Sequence, residues 1–304
     1  MPRDVELTRP GGRYTVHDLS AADPRPDAPV VVAVHGITAN GLWFAPLARA
    51  VAGRVGERDV RVLAPCLRGR ADSAGVGRPR GLAGHAADVA AVCRAAGSRP
   101  VVLVGHSMGA WVAAMTAAGH PAGVHALVLL DGGLSVPLPR AADVDATIRA
   151  TLGPALRRLG QAFPDSAAYL RYWRSHPALR ALGPDRDADL AVAAGHDVEL
   201  DGPGPGVRAV LRPDVVLADA RDVATDPTAA RATRRAVQSG VPVRLLWARR
   251  GLLDDPDGAY DEARLARLAP CGLHTRCVPA NHLTLLLDEP GLAEVADAVA
   301  AVLP

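Results

Sequence analysis

Val101-Val102-Leu103-Val104-Gly105-His106-Ser107-Met108-Gly109 is an apolar run that passes directly into Gly-x-Ser-x-Gly, and a helix-forming stretch over 108–118 follows at once. A strand, this turn and a helix in that order force the serine into a strained backbone conformation and lift its hydroxyl above the sheet edge. Glycine at 105 and 109 answers a steric need, since a side chain at either position would collide with the strand or helix closing around Ser107. Ser107 is therefore the candidate nucleophile.

Working outward, residues 30–34, 60–64, 126–130 and 241–247 are apolar runs of the same kind. Continuous rather than alternating hydrophobicity implies strands buried on both faces, as in a parallel sheet covered by helices. Helical patterns over 42–51, 82–96 and 108–118 fall between them, so strand and helix alternate and the fold class reads as α/β. A hairpin over 5–8 and 13–19, turned by Pro10-Gly11-Gly12, precedes this core. A helix near 257–268, a strand over 273–278 and a helix over about 289–302 close it. The strands ending near Leu130 and starting near Val241 are about 110 residues apart, where a crossover needs only some 30. Residues 134–240 therefore read as an inserted, mainly helical subdomain, with 1–133 and 241–304 as the core. Within the insertion 167–173 is helical, and 198–210 is a loop or hairpin.

With 304 residues and 49% hydrophobic content, the chain fills the core of one large domain. The 34 basic residues are all arginine and face 32 acidic ones, a net charge of +2, so no nucleic-acid or anionic-membrane footprint stands out. The N-terminus carries charges where a signal peptide needs an apolar core, and no run approaches membrane-spanning length. A cytoplasmic protein, monomer or homodimer, acting on a small molecule is expected. Cys66, Cys93, Cys271 and Cys277 lack metal-ligand spacing, so reduced thiols and no metal are expected.

Serine needs a base, normally a histidine oriented by a carboxylate. Of the ten histidines, His282 is best placed, in the loop after the final strand, which returns to the sheet edge that carries the elbow. His106, beside the nucleophile, and His35, ending an earlier strand, are read as structural or pocket-lining.

Val34-His35-Gly36-Ile37-Thr38, Leu67-Arg68-Gly69-Arg70-Ala71-Asp72-Ser73, Gly105-His106-Ser107-Met108-Gly109 and Asn281-His282 together resemble the α/β-hydrolase superfamily, most closely actinobacterial serine hydrolases with a cap after the sixth strand. The resemblance implies a mostly parallel central sheet flanked by helices, an inserted cap and no cofactor. It also implies that the backbone N–H groups of Ile37 and Met108 form the oxyanion hole. In the common version of the family the acid follows the seventh strand in Gly-x-x-Asp, but here Trp247-Ala248-Arg249-Arg250-Gly251 puts glycine at that place. Asp131, ending the sixth strand, Asp254 and Asp255 all remain candidates for the acid, with Asp131 placed first.

Trp43 and Trp173, with His35 and His106, are expected to line the pocket, and Arg68 and Arg70 either meet an acidic substrate group or form surface salt bridges. The reaction expected is cleavage of a carboxylic ester, lactone or thioester of a small to medium apolar substrate. A non-hydrolytic lyase, cyclase or cofactor-free haloperoxidase-like enzyme on the same fold is the alternative. Epoxide hydrolase and dehalogenase chemistry is excluded, because those relatives place aspartate at the elbow.

Overall fold

The computed structural model describes residues 3–9, 11–77, 81–135 and 143–304. Pro10 of the expected hairpin turn and residues 136–142, at the start of the expected insertion, lie outside them. In chain order the strands are β1 (Arg3–Arg9), β2 (Gly12–Asp18), β3 (Val30–Val34), β4 (Arg61–Pro65), β5 (Val101–His106), β6 (Ala126–Leu130), β7 (Ala162–Phe163), β8 (Val198–Leu200), β9 (Val207–Ala209), β10 (Val243–Arg250) and β11 (His274–Asn281). The α-helices are α1 (Ala45–Val55), α2 (Gly81–Ala95), α3 (Met108–Gly119), α4 (Val144–Leu159), α5 (Ser166–Arg174), α6 (Asp187–Gly195), α7 (Pro213–Thr225), α8 (Pro227–Gln238), α9 (Glu262–Leu268), α10 (Thr284–Leu287) and α11 (Gly291–Ala300).

Eight strands form one sheet in the order β1-β2-β4-β3-β5-β6-β10-β11. The pairs β1/β2 and β2/β4 are antiparallel, and every pair from β4 to β11 is parallel. The valine-rich runs are explained by cover on both faces. In β3, Val31 and Ala33 pack with α1 and α11, while Val30, Val32 and Val34 pack with α2 and α3. β5 and β6 divide in the same way, Val102, Val104, Val128 and Leu130 to one side, Val101, Leu103, Leu127 and Leu129 to the other. Fully burying each Val or Leu contributes about 1.5–3 kcal/mol, so a polar substitution on either face is costly. This two-sided core fixes the strand ends, and with them the residues at the carboxyl edge of the sheet.

Between β6 and β10 the chain forms α4 to α8 and a small antiparallel sheet ordered β7-β9-β8. The stretch expected as loop or hairpin is thus the hairpin β8/β9. One helix of the expected insertion behaves otherwise. Ala229, Ala232 and Ala236 of α8 are buried in the same core as α3, so α8 covers the sheet. Its small side chains allow the close approach.

Candidate active site

Ser107 follows β5 directly and has φ 55° and ψ −128°, a conformation that L-residues avoid. Three tight contacts hold it there. A Cβ on Gly105 would lie 2.3 Å from the Gly109 carbonyl oxygen, one on Gly109 would lie 2.1 Å from that of Val34, and one on Gly132 would lie 2.3 Å from that of Ser107 itself. The Ser107 N–H donates to the Leu130 carbonyl at 2.9 Å, tying the elbow to the end of β6.

His282 follows β11 directly. Its loop is locked by Asn281, whose Oδ1 accepts from the N–H groups of Leu283 and Thr284 at 3.0 and 2.8 Å and whose Nδ2 donates to the Ala178 carbonyl at 2.9 Å. His282 Nδ1 lies 2.6 Å from Asp131 Oδ2. Asp131 is buried, with φ 46°, and its other oxygen accepts from the Ala248 N–H at 3.1 Å. With Nδ1 donating to a carboxylate, His282 keeps its Nε2 lone pair available. Ser107 and His282 line one cavity.

Asp254 is not brought to His282. Its carboxylate accepts from Arg250 at 2.7 and 3.0 Å and from Asn281 Nδ2 at 3.1 Å, on a partly exposed loop. Asp255 accepts from the Leu253 N–H within the same loop. Gly251 is buried where the common acid would stand.

The loop of Ile37 passes over the serine: a Cβ on Gly36 would lie 3.1 Å from Ser107 Cβ and 3.6 Å from its Oγ. Met108 opens α3, so its N–H belongs to the first turn of a helix, where amides lack intrahelical acceptors. Arg70 donates to the Ile37 carbonyl at 3.2 and 3.3 Å and to Asp219 of α7 at 2.5 Å. Arg70 and Arg68 are both buried, Arg68 paired with Asp88, which corrects the expected surface salt bridges. Sequence reasoning missed Arg70 as the clamp on the Ile37 peptide, because its partner comes from a helix about 150 residues away.

His35 and His106 are buried framework groups at the cavity wall. His35 Nδ1 donates to the Gly36 carbonyl at 2.8 Å and its Nε2 accepts from the Leu67 N–H at 2.9 Å. His106 Nε2 donates to the His282 carbonyl at 2.8 Å, and the two rings lie 4.6 Å apart. Burial pushes His35 down to about 3 and holds His106 well below its ordinary 6.5. The rings of Trp43 and Trp173 meet at a tilt of 58° with centroids 5.1 Å apart, and both line the cavity, whose empty space is about 870 Å³ with its mouth included.

Among the described residues one group has metal-ligand proximity: His17, Cys66 and Asp72, with ligand atoms within 4.8 Å of one another. Their groups pair among themselves and with Asp4, His17 Nδ1 lying 2.7 Å from Asp4 and Nε2 3.3 Å from Asp72. None of the three lines the cavity. Burial works against charge on His17, but hydrogen bonds to Asp72 and Cys66 outweigh it and raise its pKa to about 10.

These shifts predict a stability maximum near pH 6.5. Below it, His35 binds a proton in the unfolded chain but not in the fold, so stability falls toward pH 3 at about 1.4 kcal/mol per pH unit at full slope, and His106 acts in the same direction. Asp197, raised by burial to about 6, takes up a proton in the fold first and offsets one of them below that value. Above pH 6.5 the fold keeps the His17 proton that the unfolded chain loses, so stability declines toward pH 10. Urea midpoints measured from pH 4.5 to 10 test this; a curve rising monotonically across pH 6.5–10 contradicts it.

A family model described as the alpha/beta hydrolase fold matches residues 29–289. No curated protein matches the chain. Solved structures do, at low identity: a thioesterase domain from the curacin biosynthetic pathway superposes with a TM-score of 0.72 at 19% identity, covering 99% of this chain and 98% of that one. E-2-(acetamidomethylene)succinate hydrolase gives 0.71 at 21%, covering 99% of each chain. An alpha/beta hydrolase from Novosphingobium aromaticivorans gives 0.67 at 19%, covering 99% of each. No helix among the described residues is long and apolar enough to cross a membrane.

Proposed function

The chain belongs to the alpha/beta hydrolase fold family, and from that premise we propose that it is a serine hydrolase of carboxylic esters, lactones or thioesters working through an acyl-enzyme. The observation that carries the reading is the 2.6 Å contact of His282 Nδ1 with Asp131, at the sheet edge where strained Ser107 lines the same cavity. Ser107 Oγ attacks the carbonyl carbon and its proton passes to His282 Nε2. The carbonyl electron pair moves to oxygen, which the N–H groups of Ile37 and Met108 receive, each lowering the barrier by about 3 kcal/mol. Collapse breaks the bond to the leaving alcohol or thiol, which takes the proton from His282. Water then gives a proton to His282 and attacks the acyl group, releasing the acid and restoring Ser107.

In this reading the cap is α4 to α7 with the β7-β9-β8 sheet, without α8, since α4 and α5 line the cavity together with Ser107 and His282. The substrate is a small molecule, and no cofactor takes part. Hydrolase and thioesterase names among the structural neighbours agree with acyl transfer to water.

A fluorophosphonate probe tests it by intact mass. The folded protein should gain one adduct that maps to Ser107, and heat-unfolded protein should gain none. Failure to label, together with no turnover of short p-nitrophenyl esters, would overturn the proposal.

A further inference from the structure

Arg158 on α4 is 2% exposed, and it is the sole arginine lining the cavity of Ser107 among the described residues. Its guanidinium carbon sits 4.4 Å from the Trp173 ring centroid and 5.6 Å from that of Tyr169. One terminal nitrogen donates to the Tyr169 hydroxyl and the other to the Thr38 carbonyl at 3.4 Å. No carboxylate among the described residues lies within ion-pair distance of it. Buried Asp197 feels its charge without pairing with it: its Oδ1 accepts from Asn40 Nδ2 at 2.7 Å, and its Oδ2 has no hydrogen-bond partner among the described residues. The rest of the cavity wall is chiefly apolar, and His176 beside Arg158 has its pKa lowered, first by burial and then by Arg158.

A guanidinium removed from water is costly unless a fixed anion meets it. For packing between Trp173 and Tyr169 alone, methionine would fill the space without a charge. The two flanking rings and the Tyr169 hydroxyl instead hold a planar cation in one orientation. From this geometry we infer that Arg158 recognises a carboxylate on the substrate, separate from the carbonyl attacked at Ser107, so that the preferred substrates are half-esters or half-thioesters of dicarboxylic acids. A phosphate dianion fits less well, because a single cation faces an otherwise apolar wall. The inference rests on the serine-hydrolase reading of the cavity and narrows the apolar substrate expected from the sequence to one with an anionic end.

The experiment compares p-nitrophenyl half-esters of succinate, glutarate and adipate with their methyl-capped, uncharged counterparts. For the chain length that fits, the wild-type protein should favour the half-ester in kcat/KM by about 30-fold, the range of a charge-assisted hydrogen bond. In Arg158→Met that ratio should fall to about 1, and Arg158→Lys should retain part of it, whatever the absolute rates. A binding arm needs no turnover: monomethyl glutarate, but not dimethyl glutarate, should raise the melting temperature of Ser107→Ala, and the added Arg158→Met change should abolish the difference. A wild-type protein that hydrolyses the capped esters as well as the half-esters overturns the carboxylate site and leaves the hydrolase reading standing. If no ester is turned over while Ser107→Ala still discriminates the two ligands, the hydrolase reading fails and the anion site stands.

Discussion

Ser107→Ala should lower kcat toward the best short-chain ester by about 10⁶-fold, leaving only what positioning and the oxyanion donors supply. KM should change little, because the hydroxyl bonds to the carbonyl carbon only as the reaction proceeds. The same residue permits a second measurement. At φ 55° the serine holds a conformation whose strain is of order 1–3 kcal/mol for a residue with a Cβ. Alanine keeps that Cβ and keeps the strain, whereas Ser107→Gly releases it. Both variants should be inactive, yet the glycine variant should unfold about 1 kcal/mol later in urea than the alanine variant. A glycine variant no more stable than alanine would mean that the elbow stores no strain. An alanine variant within tenfold of wild-type turnover would remove Ser107 from the chemistry.

The elbow was legible in sequence because its logic is local: five consecutive residues carry the turn, and the glycines in them are required by contacts with adjacent elements. The valine and leucine runs of β3, β5 and β6 were equally legible, since burial on both faces leaves no alternation to misread. Element ends set by distant contacts were not. The helix expected near 257–268 begins only at Glu262, because the preceding loop is held against the sheet. A Cβ on Gly258 would lie 2.3 Å from the Ala248 carbonyl oxygen, and the Tyr260 hydroxyl donates to the Leu134 carbonyl at 2.8 Å. The strand expected to end at Trp247 continues to Arg250, its last two arginines exposed beyond the covered part of the sheet. Arg158 escaped notice for another reason: one arginine among 34 basic residues carries no pattern, and only tertiary structure puts two aromatic rings around it. The acid belongs with these, since its identity depends on which carboxylate the ends of β6, β10 and β11 bring to one histidine.

Asp131→Asn should therefore be the decisive substitution, lowering kcat about 10⁴-fold. The backbone tolerates it, because asparagine, like aspartate, adopts the positive φ of this position. The loss comes from proton placement. The Ala248 N–H donates to Oδ1, so the amide oxygen of an asparagine must stay on that side and turn its NH₂ toward His282. Nδ1 then has to accept rather than donate, which moves the ring proton to Nε2 and leaves no lone pair to receive the proton of Ser107. KM should remain within about threefold, since Asp131 is buried behind the histidine and does not line the cavity. Asp254→Asn is the matching control. It weakens a partly exposed pair with Arg250 worth under about 1 kcal/mol and should change kcat by less than about threefold. Like position 131, position 254 has a positive φ, 64°, so backbone strain alone does not distinguish the two acids and their hydrogen bonds must. Should Asp254→Asn show the large loss and Asp131→Asn keep wild-type turnover, the loop after β10 supplies the acid, and the Asp131–His282 contact is structural.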